Sequence, residues 1–169
     1  IIAPGDFCSD AIRKYMFQAL KKRIETKEEI NWYEIISKKQ AKKEVKKSLK
    51  DGRKILEFLN SFNKPVFALP GNWEWTGDPD WQFLNKNYWK SYLIKNLKNI
   101  KDCHKKVYKF QNLTIIGHGI TSSPEYPVKE VKFRYKNNKE IQAKKREYKK
   151  LFKEMSKKFK KTNNTTMSR

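Results

Sequence analysis

The sequence is poor in the residues that build disulfide frameworks and zinc knuckles. It has two cysteines, Cys8 and Cys103, with no CxxC spacing. They read as reduced thiols in a cytoplasmic protein. Histidine is equally scarce, at His104 and His118. No apolar run approaches the roughly 20 residues of a membrane span, so no membrane partner is expected. There is no internal repeat and no basic leader followed by an apolar stretch. The chain opens on Ile1-Ile2-Ala3-Pro4, without Met. That reads as a strand remnant with something absent upstream. Arginine is rare too: of 40 basic residues only six are Arg.

The basic residues that are present are therefore overwhelmingly lysine, and the formal charge is +22. Such a charge points to polyanions: nucleic acid, an acidic surface or phosphorylated substrates. Surfaces that read phosphates and bases favour Arg for its planar fork, so a lysine excess also fits a merely compositional bias. Aromatic residues make up 14% of the chain, too many for a disordered one. Its 169 residues are enough for one domain with a real core.

Ile1 to Ala3 reads as the end of a buried strand, turned by Pro4-Gly5-Asp6. Ser9 or Asp10 can cap a helix whose face is Ile12, Tyr15, Met16, Ala19 and Leu20. Thr26-Lys27-Glu28-Glu29 has the form of a capping box. A lysine-rich helix is expected after it, ended or bent at Asp51-Gly52, with a second helical run from Ile55 to Phe62. Pro65 to Leu69 reads as a buried parallel-type strand closed by Pro70-Gly71. Residues 81–97 look helical. Val107–Phe110 and Leu113–Ile116 look like a hairpin joined at Gln111-Asn112. Lys139 to Lys161 has the spacing of a basic amphipathic helix. Strands alternating with helices give an α/β fold: a mainly parallel sheet edged by the hairpin and flanked by helices. The expected organisation is one partial domain over 1–161, with a Lys-rich helical insertion near 26–50, and a polar tail over 162–169.

Two turns share one design. Each follows the carboxyl end of an apolar strand, where open α/β sheets bind ligands. In each, a Gly permits a sharp turn and a short polar residue follows: Gly5-Asp6 and Gly71-Asn72. A carboxylate and an amide oxygen suit hard or borderline divalent cations.

At these residues the chain resembles the calcineurin-like metallophosphoesterases. Gly5-Asp6-Phe7 is similar to the family's Gly-Asp motif. Pro70-Gly71-Asn72-Trp73-Glu74 is similar to its Gly-Asn-His-Asp/Glu motif. Leu113 to Gly119 is similar to a glycine-ended strand that follows in archaeal-type members. The resemblance implies a two-sheet sandwich flanked by helices, two divalent metal ions (Mn, Fe, Zn or Mg) in the complete enzyme, and a phosphate-ester substrate. It implies metal-ligand roles for Asp6 and Asn72.

There are departures from the family pattern. Asp-x-His is expected on a strand before Gly5, and Gly-His-x-His after a helix like Lys139 to Lys161. Neither is present, so the reading is an internal segment. Trp73 stands where many members carry a catalytic His. Trp73, Glu74 and His118 are candidates for lining the site. The other readings are a turn or cap for Asp6, Asn72, Asp10 and Glu74, a loop residue for His118, and a surface position for His104. Trp73, Trp75 and Trp81 read as loop packing or as platforms for a base. Two further functions stay open beside the hydrolase: a basic nucleic-acid-binding module, and a relative that keeps the fold without its metals.

Overall fold

The computed structural model of the chain describes residues 1–71, 73–74, 86–119 and 137–166. It divides into two compact units, Ile1–Asp102 and Cys103–Arg169.

The first unit is built on a parallel sheet in the order β1 (Ile2–Ala3), β2 (Val66–Ala68), β3 (Ile100–Asp102). Ala3 lies opposite Ala68, and Ala68 opposite Asp102. Adjacent parallel strands need a long crossover. Here α1 (Arg13–Thr26), α2 (Trp32–Ile35) and α3 (Lys38–Ser61) connect β1 to β2. All of β2 is buried, as its unbroken apolar run suggests. β3 is not foreseen from sequence, because Ile100-Lys101-Asp102 has a single apolar residue. The helix expected over 81–97 appears as a π-helical turn, Trp89–Leu93, while 81–85 lie outside the described residues.

Several boundaries differ from the sequence reading. Neither Ser9 nor Asp10 caps α1 by side chain: its N-cap is Ile12, without a side-chain hydrogen bond. Ser9 is committed elsewhere, its carbonyl accepting the Ser48 hydroxyl at 2.7 Å. Thr26 ends α1 instead of opening the next helix. Its hydroxyl donates to the Lys22 carbonyl at 2.9 Å, and Lys27 closes the helix with φ +59°. The capping box lies at Asn31 and Glu34, where the Glu34 carboxylate accepts the Asn31 N–H at 2.6 Å. Ser37 then caps α3 by accepting the Gln40 N–H at 3.1 Å.

Gly52 does not end α3; the helix runs through it to Ser61. Gly52 continues the buried stripe Ala41, Val45, Ser48, Leu49, Gly52, Leu56. A Cβ at Gly52 would sit 2.6 Å from Cys8 Sγ and 3.1 Å from Cys8 N. The glycine therefore lets α3 press against the loop that follows β1. Around it, Ile12, Val45, Leu49, Leu56, Val66, Leu93 and Ile100 form the core. Each large aliphatic side chain buried this way contributes about 1.5–3 kcal/mol. Trp89 is buried with them, and its indole N–H donates to Asp102 at 3.1 Å.

The second unit holds the expected hairpin, β4 (Val107–Phe110) and β5 (Leu113–Ile116), with Val107 opposite Ile116. The hairpin is a separate two-stranded sheet, not an edge of the parallel one. The chain turns between β3 and β4 at Lys105, whose φ is +55°, and a bridge pairs His104 with Gly117. α4 (Asn138–Thr166) packs on β5. It extends into the segment read as a polar tail. Among the described residues no helix is long and apolar enough to cross a membrane.

Candidate metal site at the strand ends

β1 and β2 are neighbours in register, so the turns that follow them emerge side by side. After β1 the chain takes two consecutive left-handed residues, Gly5 at φ +104° and Asp6 at φ +58°. Glycine adopts the first without strain, and Asp is among the few residues that tolerate the second. A Cβ at Gly5 would lie 2.5 Å from the Gly71 nitrogen. The two turns thus touch backbone to backbone. A Cβ at Gly71 would collide with the Asp6 carboxylate oxygen Oδ1. The Asp6 side chain occupies the space that the glycine leaves open, and it remains solvent-exposed.

The group that holds this arrangement is Glu74. It is fully buried. Its Oε1 accepts the Cys8 N–H at 3.0 Å and its Oε2 accepts the Asp6 N–H at 3.0 Å. Oε2 also accepts the Gly71 N–H. One carboxylate therefore clamps the turn after β1 to the turn after β2. Burial pushes the Glu74 carboxyl above its ordinary range. The three N–H donors oppose that by favouring the anion, and the nearby Asp6 charge adds to the rise. The same burial, with Glu74 next to it, pushes the Cys8 thiol up, so Cys8 is a packing residue and not a nucleophile.

Of the residues singled out from sequence, Asp6 and Glu74 are brought together by these bonds. Glu74 acts as a turn residue with no surface for a substrate to touch. Trp73 is half-buried against the core, which fits loop packing. Asn72, Trp75 and Trp81 lie outside the described residues. His118 belongs to the second unit, where its ring lies 5.4 Å from that of His104. Burial lowers the His118 pKa; Lys105 and Lys158 act in the same sense and Glu154 opposes them. His104 is not a plain surface residue. It is half-buried, and its Nδ1 accepts the Gly119 N–H at 3.1 Å.

The oxygen donors at the strand ends are of the kind that Mg²⁺ and Mn²⁺ take. The exposed Asp6 carboxylate over an open glycine is compatible with a cation beside it. Among the described residues no group of three or more His, Cys, Asp and Glu side chains is arranged to hold a metal ion. The clamping role of Glu74 is not written in the Gly-Asn-Trp-Glu run itself, because it depends on β1 and β2 being neighbours. Comparison with protein-family models, curated protein sequences and solved structures returned no match.

Proposed function

We propose that the chain carries part of the site of a metal-dependent phosphoester hydrolase of the calcineurin-like kind, with the sandwich fold of that family. Asp6 and Asn72 would hold the divalent metal ions. A bound pair of Mn, Fe, Zn or Mg ions would activate water and neutralise charge on the phosphoryl oxygens. The observation that supports this reading most is the Glu74 clamp. It fixes Asp6 in a left-handed turn at the carboxyl end of β1, directly beside the Gly71 turn that leads to Asn72. A site that must hold a cation profits from a carboxylate whose own backbone is held in place by further hydrogen bonds. Glu74 gives Asp6 that support without using an exposed group. Cys8 and Cys103 are both buried and not joined in a disulfide, which fits a cytoplasmic setting for the enzyme.

The reading is tested by hydrolysis of bis-p-nitrophenyl phosphate with and without Mn²⁺. In a longer chain that supplies the Asp-x-His and Gly-His-x-His ligands, turnover that needs the metal and is lost in Asp6→Asn is expected. Absence of turnover with Mn²⁺, Fe²⁺, Zn²⁺ and Mg²⁺ alike, or equal turnover in Asp6→Asn, would overturn it.

A further inference from the structure

The lysines of α3 are not spread evenly around the helix. Lys39, Lys42, Lys43 and Lys46 stand at i, i+3, i+4 and i+7, the spacing of one helix face. They line a groove of about 530 Å³ with Ser37 and Gln40. Ala41, Val45 and Leu49 bury another face of the same helix in the core. Among the described residues none of the four lysines is held in an ion pair. Elsewhere cations do find acids: Lys21 with Glu25, Arg53 with Glu57, Lys144 with Glu147 and Lys158 with Glu154. Glu44, the acid nearest in sequence, accepts instead from the Gln40 amide at 2.6 Å. Like charges at i, i+4 repel, so this stripe lowers the stability of the isolated helix. A linear polyanion lying in the groove would remove that repulsion.

We infer that the groove beside the N-terminal half of α3 binds the phosphate backbone of a nucleic acid, without reading its sequence. Lysine is a point charge on a flexible stem, suited to phosphates and poorly suited to the bidentate reading of bases. No apolar or aromatic side chain lines the described part of the groove. A helix that settles on a lipid surface sets such residues beside its lysines, so nucleic acid is favoured over an anionic membrane. The inference is independent of the hydrolase reading, since it concerns a different face and needs no metal.

The test is fluorescence anisotropy with a labelled DNA duplex of random sequence, titrated from 50 to 300 mM salt in the presence of EDTA. Each neutralised phosphate contributes about −0.9 to the slope of log K against log salt on B-DNA. The quadruple variant Lys39→Gln, Lys42→Gln, Lys43→Gln, Lys46→Gln is expected to flatten that slope by about 3.6. A control quadruple on α4 (Lys149→Gln, Lys150→Gln, Lys153→Gln, Lys157→Gln) is expected to change it by less than about 1. Far-ultraviolet circular dichroism checks that both variants keep their helices. Equal flattening by the two quadruples would overturn the inference, as would no binding of the unaltered chain at 50 mM salt. Binding to phosphatidylserine vesicles that falls with the α3 lysines, while duplex binding does not, would overturn it in favour of a membrane.

Discussion

Replacing Glu74 should loosen both strand-end turns at once, and the size of the effect can be worked from its bonds. Glu74→Ala leaves three backbone donors, at Asp6, Cys8 and Gly71, without their acceptor. A buried donor left unsatisfied costs about 1–3 kcal/mol, and the cavity adds to that. Relief from burying a carboxylate offsets part of the loss. A net destabilisation of about 4 kcal/mol is expected for Glu74→Ala. Glu74→Gln keeps one oxygen and turns an amide N–H₂ toward a donor, so about 2 kcal/mol is expected. Urea unfolding followed by tryptophan fluorescence reads both, with Trp32, Trp73 and Trp89 in the same unit. At an m value of about 2 kcal/mol/M, Glu74→Ala should lower the midpoint by about 2 M. A pH series adds a second check. The folded-state pKa of Glu74 is raised, so the folded chain holds the proton longer than the unfolded one. Its contribution is then full below about pH 4.3 and declines as pH rises toward the folded pKa. Glu74→Gln should lack that decline. A midpoint for Glu74→Ala within about 0.3 M of the unaltered chain would refute the clamp.

Three further outcomes follow from other contacts. Gly52→Ala improves helix propensity by about 1 kcal/mol but drives a methyl group against Cys8 Sγ and backbone. A net loss of about 1–2 kcal/mol is expected by urea unfolding, and a gain in stability would show that the loop after β1 can withdraw. Trp89→Phe removes the indole N–H that Asp102 accepts at 3.1 Å and leaves a void. It should cost about 2–3 kcal/mol, measured the same way. For His118 the folded pKa is lowered, so the folded chain binds fewer protons than the unfolded one. Its contribution is intact above about pH 6.5 and is lost as pH falls toward the folded value. Thermal melts from pH 8 to 5 should therefore decline less steeply in His118→Asn than in the unaltered chain.

Much of this architecture was legible in the residues. The apolar run at Val66 to Ala68 announced a buried strand, and the alternation of strands and helices announced a parallel sheet. The hairpin at Gln111-Asn112 followed from two short apolar runs around polar residues. What failed had physical causes outside the local pattern. Thr26 has the chemistry of a cap, but it is the last residue of α1 and its hydroxyl bonds backward to the Lys22 carbonyl. Gly52 looks like a break, yet it sits in mid-helix because Cys8 needs the room. β3 is too short and too polar to stand out, and becomes a strand only by pairing with β2. At the candidate site, Asp6 was visible as a polar residue on a strand end. The clamp by Glu74 was hidden, since it joins segments 68 residues apart in sequence.

The central claim is that Asp6, locked by Glu74 beside the Gly71 turn, binds a divalent cation. Thermal unfolding with increasing Mn²⁺, in the unaltered chain and in Asp6→Ala, tests it most directly. A ligand that binds only the folded state stabilises it by about 2.7 kcal/mol at a hundredfold excess over its Kd. A saturable rise in Tm that disappears in Asp6→Ala is the expected result. No rise in the unaltered chain, or the same rise in both, would contradict it.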